Sequence, residues 1–385
     1  MRCLPFALFL AVMSPGLAPG GAAPTDAKPP VEAVADLNAD LFLGKFVLID
    51  NVTVWPVYTK KPVEAIPDKD FLPLAEAQEK KLAFIRETGA PSAAPNVPAT
   101  PNAPVQQVVA QADVGGQVNT LVIENRSDRP ILVLAGTLLK GGKQDRQVGQ
   151  DFIIAAGKTV PVDAFCVEHG RWTARREGAA TAGQFQAQKS LGSAGVRGAA
   201  QFKGDQGEVW SKVAEENVKA GKSPSSGTFL ATVDETDKEA LARRERLKKA
   251  ILDRFGALAK EPTAPLGLAY AVDGKIREVR TFSHPRIMER YVETLANTIA
   301  LEGDLAQREA LAKKQPIFDK PADSALVTEL VKTGDAAKAE ESKNKGDNRM
   351  LKRSGESPKA GKVHSNQTYE DDKAPKPATG NWYAE

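Results

Sequence analysis

Runs typical of β-strands and periodicities typical of helices do not alternate regularly along this chain. Strand-like runs rich in β-branched and aromatic residues come early, as at 46–49, 52–55 and 118–124, and helical periodicity is found mainly after residue 205. A doubly wound parallel sheet requires a helix after almost every strand, so this order argues against one. The sequence predicts an α+β fold with a mainly antiparallel β-sheet core and amphipathic helices in the C-terminal half.

Two pairs of these runs are predicted to form antiparallel hairpins. An Asp-Gly pair at 273–274 separates the runs 266–272 and 275–282. Asp-Gly favours a type I′ turn, whose twist matches that of paired strands. The runs 118–124 and 131–134 flank a polar segment that ends in proline, which predicts a second hairpin with a longer turn.

Three amphipathic helices are predicted in the second half of the chain. The first covers 208–220, where apolar residues recur on one side. The sequence Thr-Asp-Lys-Glu at 236–239 is typical of a capping box and opens the second helix, which continues to Leu258. Ser-His-Pro at 283–285 begins the third, which is predicted to end at Gly303.

The N-terminus predicts export. Residues 1–22 are typical of a secretory signal peptide, because Arg2 precedes the apolar run 4–13 and small residues follow it. The run is too short to span a bilayer, so the mature protein is expected to be secreted or periplasmic and to have no membrane partner. Cleavage would remove Cys3 and leave Cys166 as the single cysteine, which excludes an internal disulfide.

Composition divides the rest of the chain. Residues 23–36 are rich in Pro and Ala and predict a flexible leader, and a single α+β domain is predicted for 37–320. An Ala/Pro/Asn tract predicts a disordered insertion at about 90–110. The segment 335–385 is predicted to be a disordered charged tail, since it has few apolar residues to offset the entropy of ordering. Its aromatic end is a candidate motif for docking to a protein partner.

Several functional classes are excluded. The 52 basic and 49 acidic residues are intermixed and give a net charge of +3, which is not the footprint of a nucleic-acid-binding protein. The cysteines and histidines form no cluster with the spacing of a zinc site, whereas Mg²⁺ held by Asp145, Asp151 or Glu168 stays an open alternative, since lone carboxylates have no signature. The glycine-rich span 183–207 follows no predicted strand, so it is interpreted as a flexible flap and not as a dinucleotide-binding loop.

The sequence GGKQDR forms a glycine-rich turn between two apolar strands. It is not a P-loop, because Gln144 falls where a magnesium-binding Ser or Thr is required. The turn at Gly141 and Gly142 can instead offer backbone amides as an anion-binding nest, to which Lys143 and Arg146 add positive charge. The alternative is a solvated loop with ordinary surface charges.

The sequence CVEHGRW, which begins at Cys166, crowds five reactive side chains together. Cys166 is predicted to be buried, and its alternative role as a catalytic nucleophile requires a base. His169 would lie on the opposite face of an extended strand from Cys166. Glu168 is the candidate general base. An architectural alternative is a buried ion pair between Glu168 and Arg171, covered by Trp172.

Together, NTLVIENRSDRPILVLAGTLLKGGKQDR, the following CVEHGRW and the later VWSKV resemble a known domain of unknown function. It is the ADP-ribosylglycohydrolase- and rhodanese-phosphatase-superfamily-associated protein domain, and the resemblance covers roughly residues 41–302. One departure is Thr137, at a position where many members carry an acidic residue. The resemblance places the polar signature of the family on Gly142, Lys143, Gln144, Arg146, Cys166, Glu168, Arg171 and Trp172.

The family is named for its gene neighbours, and this association implies that the domain binds ADP-ribose or another NAD-derived molecule. The resemblance does not identify a cofactor. In this interpretation Arg146 and Arg171 clamp a phosphate, Gln144 and Glu168 hydrogen-bond hydroxyls, and Trp172 stacks on a base or sugar. The alternative is a non-catalytic exported scaffold in which both motifs form a structural polar network. A ligand site requires both arginines on an open cleft, whereas a structural network would be closed and self-satisfied.

Overall fold

The computed structural model describes residues 31–385, except 65, 66, 68, 89–118, 177, 182 and 262. The predicted signal peptide, most of the leader and the whole of the predicted insertion lie outside the described residues. Residues 31–385 form one compact unit. No helix among the described residues is long and apolar enough to cross a membrane.

The strands, in chain order, are β1 (Ala35–Asp36), β2 (Leu41–Leu43), β3 (Val47–Ile49), β4 (Val52–Thr59), β5 (Leu72–Pro73), β6 (Ala83–Glu87), β7 (Thr120–Asn125), β8 (Ile131–Val133), β9 (Thr137–Gly141), β10 (Arg146–Val148), β11 (Phe152–Ile154), β12 (Thr159–Cys166), β13 (Arg175–Arg176), β14 (Ala179–Ala180), β15 (Gln184–Leu191), β16 (Gly267–Val272), β17 (Lys275–Phe282), β18 (Glu340–Lys343), β19 (Arg349–Ser357), β20 (Gly361–Thr368) and β21 (Thr379–Ala384).

The helices are α1 (Leu74–Glu79), α2 (Ala194–Gly198), α3 (Gln206–Lys219), α4 (Leu230–Val233), α5 (Lys238–Leu258), α6 (Pro285–Ala312) and α7 (Ser324–Ala336). A π-helical turn, Ala199–Lys203, directly follows α2.

Within the described residues the strands form two main β structures. A ten-stranded sheet has the order β1-β2-β4-β16-β17-β21-β20-β19-β18, with β3 also paired to β4. A closed barrel has the order β10-β12-β7-β6-β15-β9. Pairing is antiparallel except between β5 and β8, which belong to a small third sheet. The predicted α+β fold with a mainly antiparallel core is therefore confirmed.

The large sheet is covered on both faces. Val54 and Leu268 face α5 and α6, whereas Trp55 and Val279 face α7. Opposite residues on paired strands share a face, so each row of side chains across the sheet belongs to one layer. The barrel has its own apolar interior, which includes Ile85.

One predicted hairpin is confirmed and the other is wrong. β16 and β17 pair through the Asp-Gly turn, where Asp273 and Gly274 have φ angles of 50° and 73°, as a type I′ turn requires. β7 instead pairs with β6 and β12, and β8 pairs with β11 and β5. Both edges of β7 are occupied within the barrel, so the polar segment after it crosses to another sheet.

The predicted helices are present, but two of their boundaries differ. α5 is capped by Asp237, whose side chain accepts a hydrogen bond from the Ala240 amide, so Thr236 does not serve as the N-cap. α6 does not end at Gly303 but continues to Ala312. A Cβ atom at Gly303 would lie 2.7 Å from Val52 Cγ2, so this glycine allows close packing against the sheet and does not end the helix.

The interpretation of 183–207 as a flexible flap is wrong. This span forms β15, α2, the π-helical turn and the start of α3. Arg197 and Gln201 within it are only 3% exposed. A Cβ at Gly198 would meet the Tyr383 ring at 2.7 Å, so a glycine is needed here for close backbone approach rather than for mobility.

The prediction of a disordered tail at 335–385 is also wrong. These residues form β18 to β21, and the described domain extends well past residue 320. Composition fails here because the strands bury polar side chains that usually promote disorder, such as Ser365, Asn366 and Asn381. Trp382, part of the candidate docking motif, is 2% exposed and donates a hydrogen bond to Asp335 at 2.9 Å.

A charged cluster ties α5 and α6 to the segment after α4. Glu235 accepts hydrogen bonds from Lys222 and Arg308, each at 2.7 Å, and from the backbone amide of Asp237. Burial alone would raise the pKa of the Glu235 carboxyl. The hydrogen bonds and the Arg308 charge outweigh burial and lower that pKa to about 2.

Acid is therefore expected to remove the contribution of Glu235 to stability. Because its pKa is lower in the folded than in the unfolded state, the contribution is complete above about pH 4.5 and is lost as the pH falls towards 2. At pH 7 Glu235→Gln should lower the free energy of unfolding by about 1–2 kcal/mol, and the difference should shrink below pH 4. Urea unfolding of both proteins from pH 7 to pH 2.5 measures this. A difference that stays constant with pH would contradict the assignment.

Candidate functional site

The GGKQDR and CVEHGRW motifs lie side by side at one end of the barrel. GGKQDR joins β9 to β10, and CVEHGRW continues from the end of β12. β10 and β12 are neighbours in the barrel, and Arg146 lies directly opposite Cys166. The two motifs, about twenty residues apart in the chain, therefore share one polar cluster.

Arg171 lies at the centre of a closed network. Its guanidinium donates to both carboxylate oxygens of Glu168 at 2.7–3.0 Å, and to the carbonyl oxygens of Gly141 and Gly142 at 3.0 and 2.8 Å. Glu168 also accepts from the Asp145 amide at 2.8 Å. The side chain of Arg171 is only 11% exposed. These contacts fix the glycine turn and leave the guanidinium committed within the protein.

The glycine turn does not offer a nest of free amides. The Gly141 amide donates to Asp145 at 3.0 Å, and the Gly142 amide donates to the carbonyl of Gln184 at 2.8 Å. Their carbonyl oxygens, not their amides, face the cation of Arg171. The anion-nest interpretation is therefore wrong, and the role of the turn is to bind an internal arginine.

Glu168 is poorly suited to act as a general base. It is 1% exposed. Burial alone would raise the pKa of the Glu168 carboxyl, but hydrogen bonds from Arg171, Ser226 and the Asp145 amide outweigh burial and lower it. A carboxylate with a lowered pKa and committed lone pairs is a weak proton acceptor.

Cys166 is buried, as predicted, with 1% of its surface exposed. Its sulfur accepts a hydrogen bond from Arg146. Neither nearby candidate base forms a hydrogen bond with it in the described part of the chain. The ring of His169 packs edge-on against Trp210 with centroids 4.6 Å apart, and His284 caps α6 through Nδ1. The residues described thus assemble no thiol–imidazole pair.

Arg146 differs from Arg171 in its surroundings. It is 2% exposed, and its hydrogen-bond partners among the described residues are neutral, the sulfur of Cys166 and the side-chain oxygen of Gln144 at 3.3 Å. Its Nε atom is buried without a hydrogen-bond partner among the described residues. Burial is the largest influence on Arg146 and lowers its pKa to about 10, although Glu87 and other nearby carboxylates oppose this effect.

An indole covers this buried guanidinium. Trp172 is 50% exposed, and its ring centroid lies 5.8 Å from Cζ of Arg146 and 5.6 Å from Nζ of Lys143. Both distances are within the range of cation–π contact. This end of the barrel therefore presents a half-exposed aromatic face with two cations beside it.

Sequence reasoning missed a second cluster, between the large sheet and α2. Glu278 accepts hydrogen bonds from Arg197 at 2.7 Å and from Arg280 at 2.9 Å. Arg280 also donates to Asp151 at 3.3 Å, and Tyr270 donates to Glu302 at 2.9 Å. The available signal was a pair of opposite charges two residues apart, Glu278 and Arg280, on the inward face of a predicted strand.

The chain was also compared with known proteins. A family model described as the ARG and Rhodanese-Phosphatase-superfamily-associated Protein domain, ARPP-1, matches residues 40–373. The comparisons with curated proteins and with solved structures gave no match. The family match spans both motifs and also β18 to β20, which the composition of the chain had excluded from the domain.

Proposed function

Since this chain belongs to the ARG and Rhodanese-Phosphatase-superfamily-associated Protein domain family, we propose that it binds a phosphate-bearing ligand at Arg146 and Trp172. The family name associates the domain with ARG and rhodanese-phosphatase proteins. That association favours ADP-ribose or a related NAD-derived molecule as the ligand.

The observation that carries the proposal is the buried guanidinium of Arg146, which has no carboxylate among its hydrogen-bond partners in the described part of the chain. A buried charge without a hydrogen-bonded counter-ion is costly even when carboxylates lie nearby, so a protein that retains one is expected to use it. A phosphate suits such a group, since the planar guanidinium matches two of its oxygens. Arg146 therefore supports the anion half of the site.

Trp172 supports the other half. Its half-exposed ring is a flat apolar surface next to Arg146, which suits a nucleobase or sugar face. Stacking on such a ring contributes about 1–3 kcal/mol per base in nucleic-acid-binding proteins. A phosphate on Arg146 and a ring on Trp172 together fit a nucleotide-like molecule.

The site favours binding over turnover. Glu168 is committed to Arg171, and Cys166 has no imidazole partner among the described residues. Position 137 carries a threonine and therefore offers no carboxylate. The hydroxyl of Thr137 donates to the carbonyl of Leu134 at 2.7 Å. The network of Arg171, Glu168 and the glycine turn would hold in place the start of β10, which carries Arg146, and the segment after β12, which carries Trp172.

A second candidate function is an exported scaffold that binds no small ligand. The closed network of Arg171, Glu168 and Asp145 favours it, because these groups satisfy one another.

Both proposals place the protein outside the cell or in the periplasm. N-terminal sequencing of the mature protein tests it, and an intact Met1 would contradict it.

Arg146→Met is expected to separate the two candidates. Removing a buried charge that has no directly bonded counter-ion should raise the free energy of unfolding by about 1–2 kcal/mol, while binding of ADP-ribose weakens by about 10-fold to 100-fold. Urea unfolding gives the first quantity, and isothermal titration calorimetry with ADP-ribose, NAD and inorganic phosphate gives the second. Arg246→Met, at an exposed arginine, controls for loss of charge alone.

Trp172→Ala sharpens the test, because it should weaken ADP-ribose binding and leave phosphate binding unchanged. Absence of binding to the unmodified protein would overturn the ligand proposal. Loss of stability in Arg146→Met would overturn it as well, since Arg146 would then be structural.

A further inference from the structure

A polar row crosses four strands of the large sheet on the face turned towards α2. Arg280 on β17 lies opposite Asn381 on β21, Asn381 lies opposite Asn366 on β20, and Asn366 lies opposite Lys352 on β19. Residues directly opposite each other on paired strands face the same side of the sheet. The row therefore leads from Arg280, which is fully buried, to Lys352, which is half-buried at its outer end.

The π-helical turn and the end of β10 face this row. Lys352 Nζ donates to the carbonyl oxygen of Gln201 at 3.3 Å, and Gln150 Nε2 donates to the same oxygen at 2.9 Å. Gln201 and Gln150 are 3% and 8% exposed. A π-helical turn is an uncommon element that is frequently found at functional sites. The row and the turn thus face each other in one buried layer, called here the inner polar layer.

Buried polar atoms without hydrogen-bond partners are concentrated in the inner polar layer. Buried polar groups in proteins almost always have a partner, so each such atom requires an explanation. Several in one layer indicate that polar molecules from outside the chain complete it. Among the described residues, the donors are Arg197 Nη1, Arg280 Nη2 and Gln201 Nε2, and the acceptors are Gln150 Oε1, Asn366 Oδ1 and Asn381 Oδ1.

The chemistry of these atoms defines the class of ligand. Lys352 has no carboxylate within 4.0 Å in the described structure, and burial is the main cause of the lowered pKa of its amine. Its ammonium and the free N–H groups suit an anionic group, whereas the amide oxygens of Asn366 and Asn381 suit hydroxyl donors. We propose that the inner polar layer is a second binding site, which takes a small hydroxylated anion such as a hydroxy acid or sugar acid with its charge on Lys352.

This site is independent of the one at Arg146. The two use different residues: Arg146 begins β10 and lies beside Trp172, whereas Gln150 follows β10 and Lys352, Asn366 and Asn381 lie on the large sheet. A variant at one site should therefore leave binding at the other unchanged.

The test is calorimetric titration of the mature full-length protein with D-gluconate, and with glycerol as an uncharged comparison. Gluconate should bind, glycerol should not, and Lys352→Met should weaken gluconate binding by about 10-fold or more. Lys338→Met is the matched control at an exposed lysine and should bind normally. Arg146→Met should also bind normally.

Three results would each overturn the proposal. They are gluconate binding by Lys352→Met as strong as by the unmodified protein, no gluconate binding by the unmodified protein, and glycerol binding as strong as gluconate binding. A crystal structure of the ligand-free protein provides a second test that does not depend on the choice of probe. A water molecule or a hydroxylated anion is expected there, which accepts from Arg280 Nη2 and donates to Asn381 Oδ1. A layer in which these side chains bond only to one another would overturn the proposal.

Discussion

Arg171→Ala is expected to lower the free energy of unfolding by about 3–5 kcal/mol. The change would leave the buried carboxylate of Glu168 without its cation, and would remove the hydrogen bonds that Arg171 donates to the carbonyl oxygens of Gly141 and Gly142. Urea unfolding at pH 7 measures the loss. Arg175→Ala is a close control, because the Arg175 side chain is exposed and donates a local hydrogen bond to the carbonyl of Gly178, and it should change stability by less than about 0.5 kcal/mol.

The contrast between Arg171→Ala and Arg146→Met is more informative than either variant alone. Both arginines belong to the same polar cluster and differ in whether the protein satisfies them. A large loss for Arg171 with none for Arg146 would identify one structural and one ligand-binding arginine. Similar losses for both would mean that the whole cluster holds the fold together.

Glu278→Gln is the second variant expected to have a large effect. Burial alone would raise the pKa of the Glu278 carboxyl, but the charges of Arg197 and Arg280 outweigh burial and keep it lowered. A neutral amide would leave two guanidinium groups buried without their shared anion, at an expected cost of about 3–5 kcal/mol. Urea or thermal unfolding measures this cost.

Glu215→Gln, at a half-exposed glutamate on α3, is the matched control for Glu278→Gln and should be nearly neutral. If Glu278→Gln were equally neutral, the cluster would not depend on charge. The proposal of a polar ligand site beside it would then lose its structural basis.

The parts of the fold that local chemistry determines could be predicted. Asp273-Gly274 alone favours a tight hairpin, and apolar periodicity alone identifies α3, α5 and α6. Strand partners depend on residues far away in the chain. The segment after Asn125 has the composition of a hairpin turn, but β7 was already paired on both edges. The composition of that segment does not reveal that both edges of β7 are occupied by other strands.

The same limit applies to the candidate site. The motifs correctly indicated a polar cluster, because reactive side chains were concentrated next to strand ends. Sequence could not distinguish Arg146 from Arg171, since the difference depends on which carbonyl oxygens the glycine turn directs inward. The second cluster was missed because Arg197, Glu278 and Asn381 come from distant segments that each look unremarkable in isolation.

The position of β21 has a consequence for how the protein is made on the ribosome. β21 lies between β17 and β20, although residues 283–378 separate it from β17 in the chain. At about 5–20 residues per second, synthesis of that interval takes roughly 5–20 s. During this time the open edge of β17 has no partner in the nascent chain, so the two halves of the sheet can join only when translation has passed residue 384.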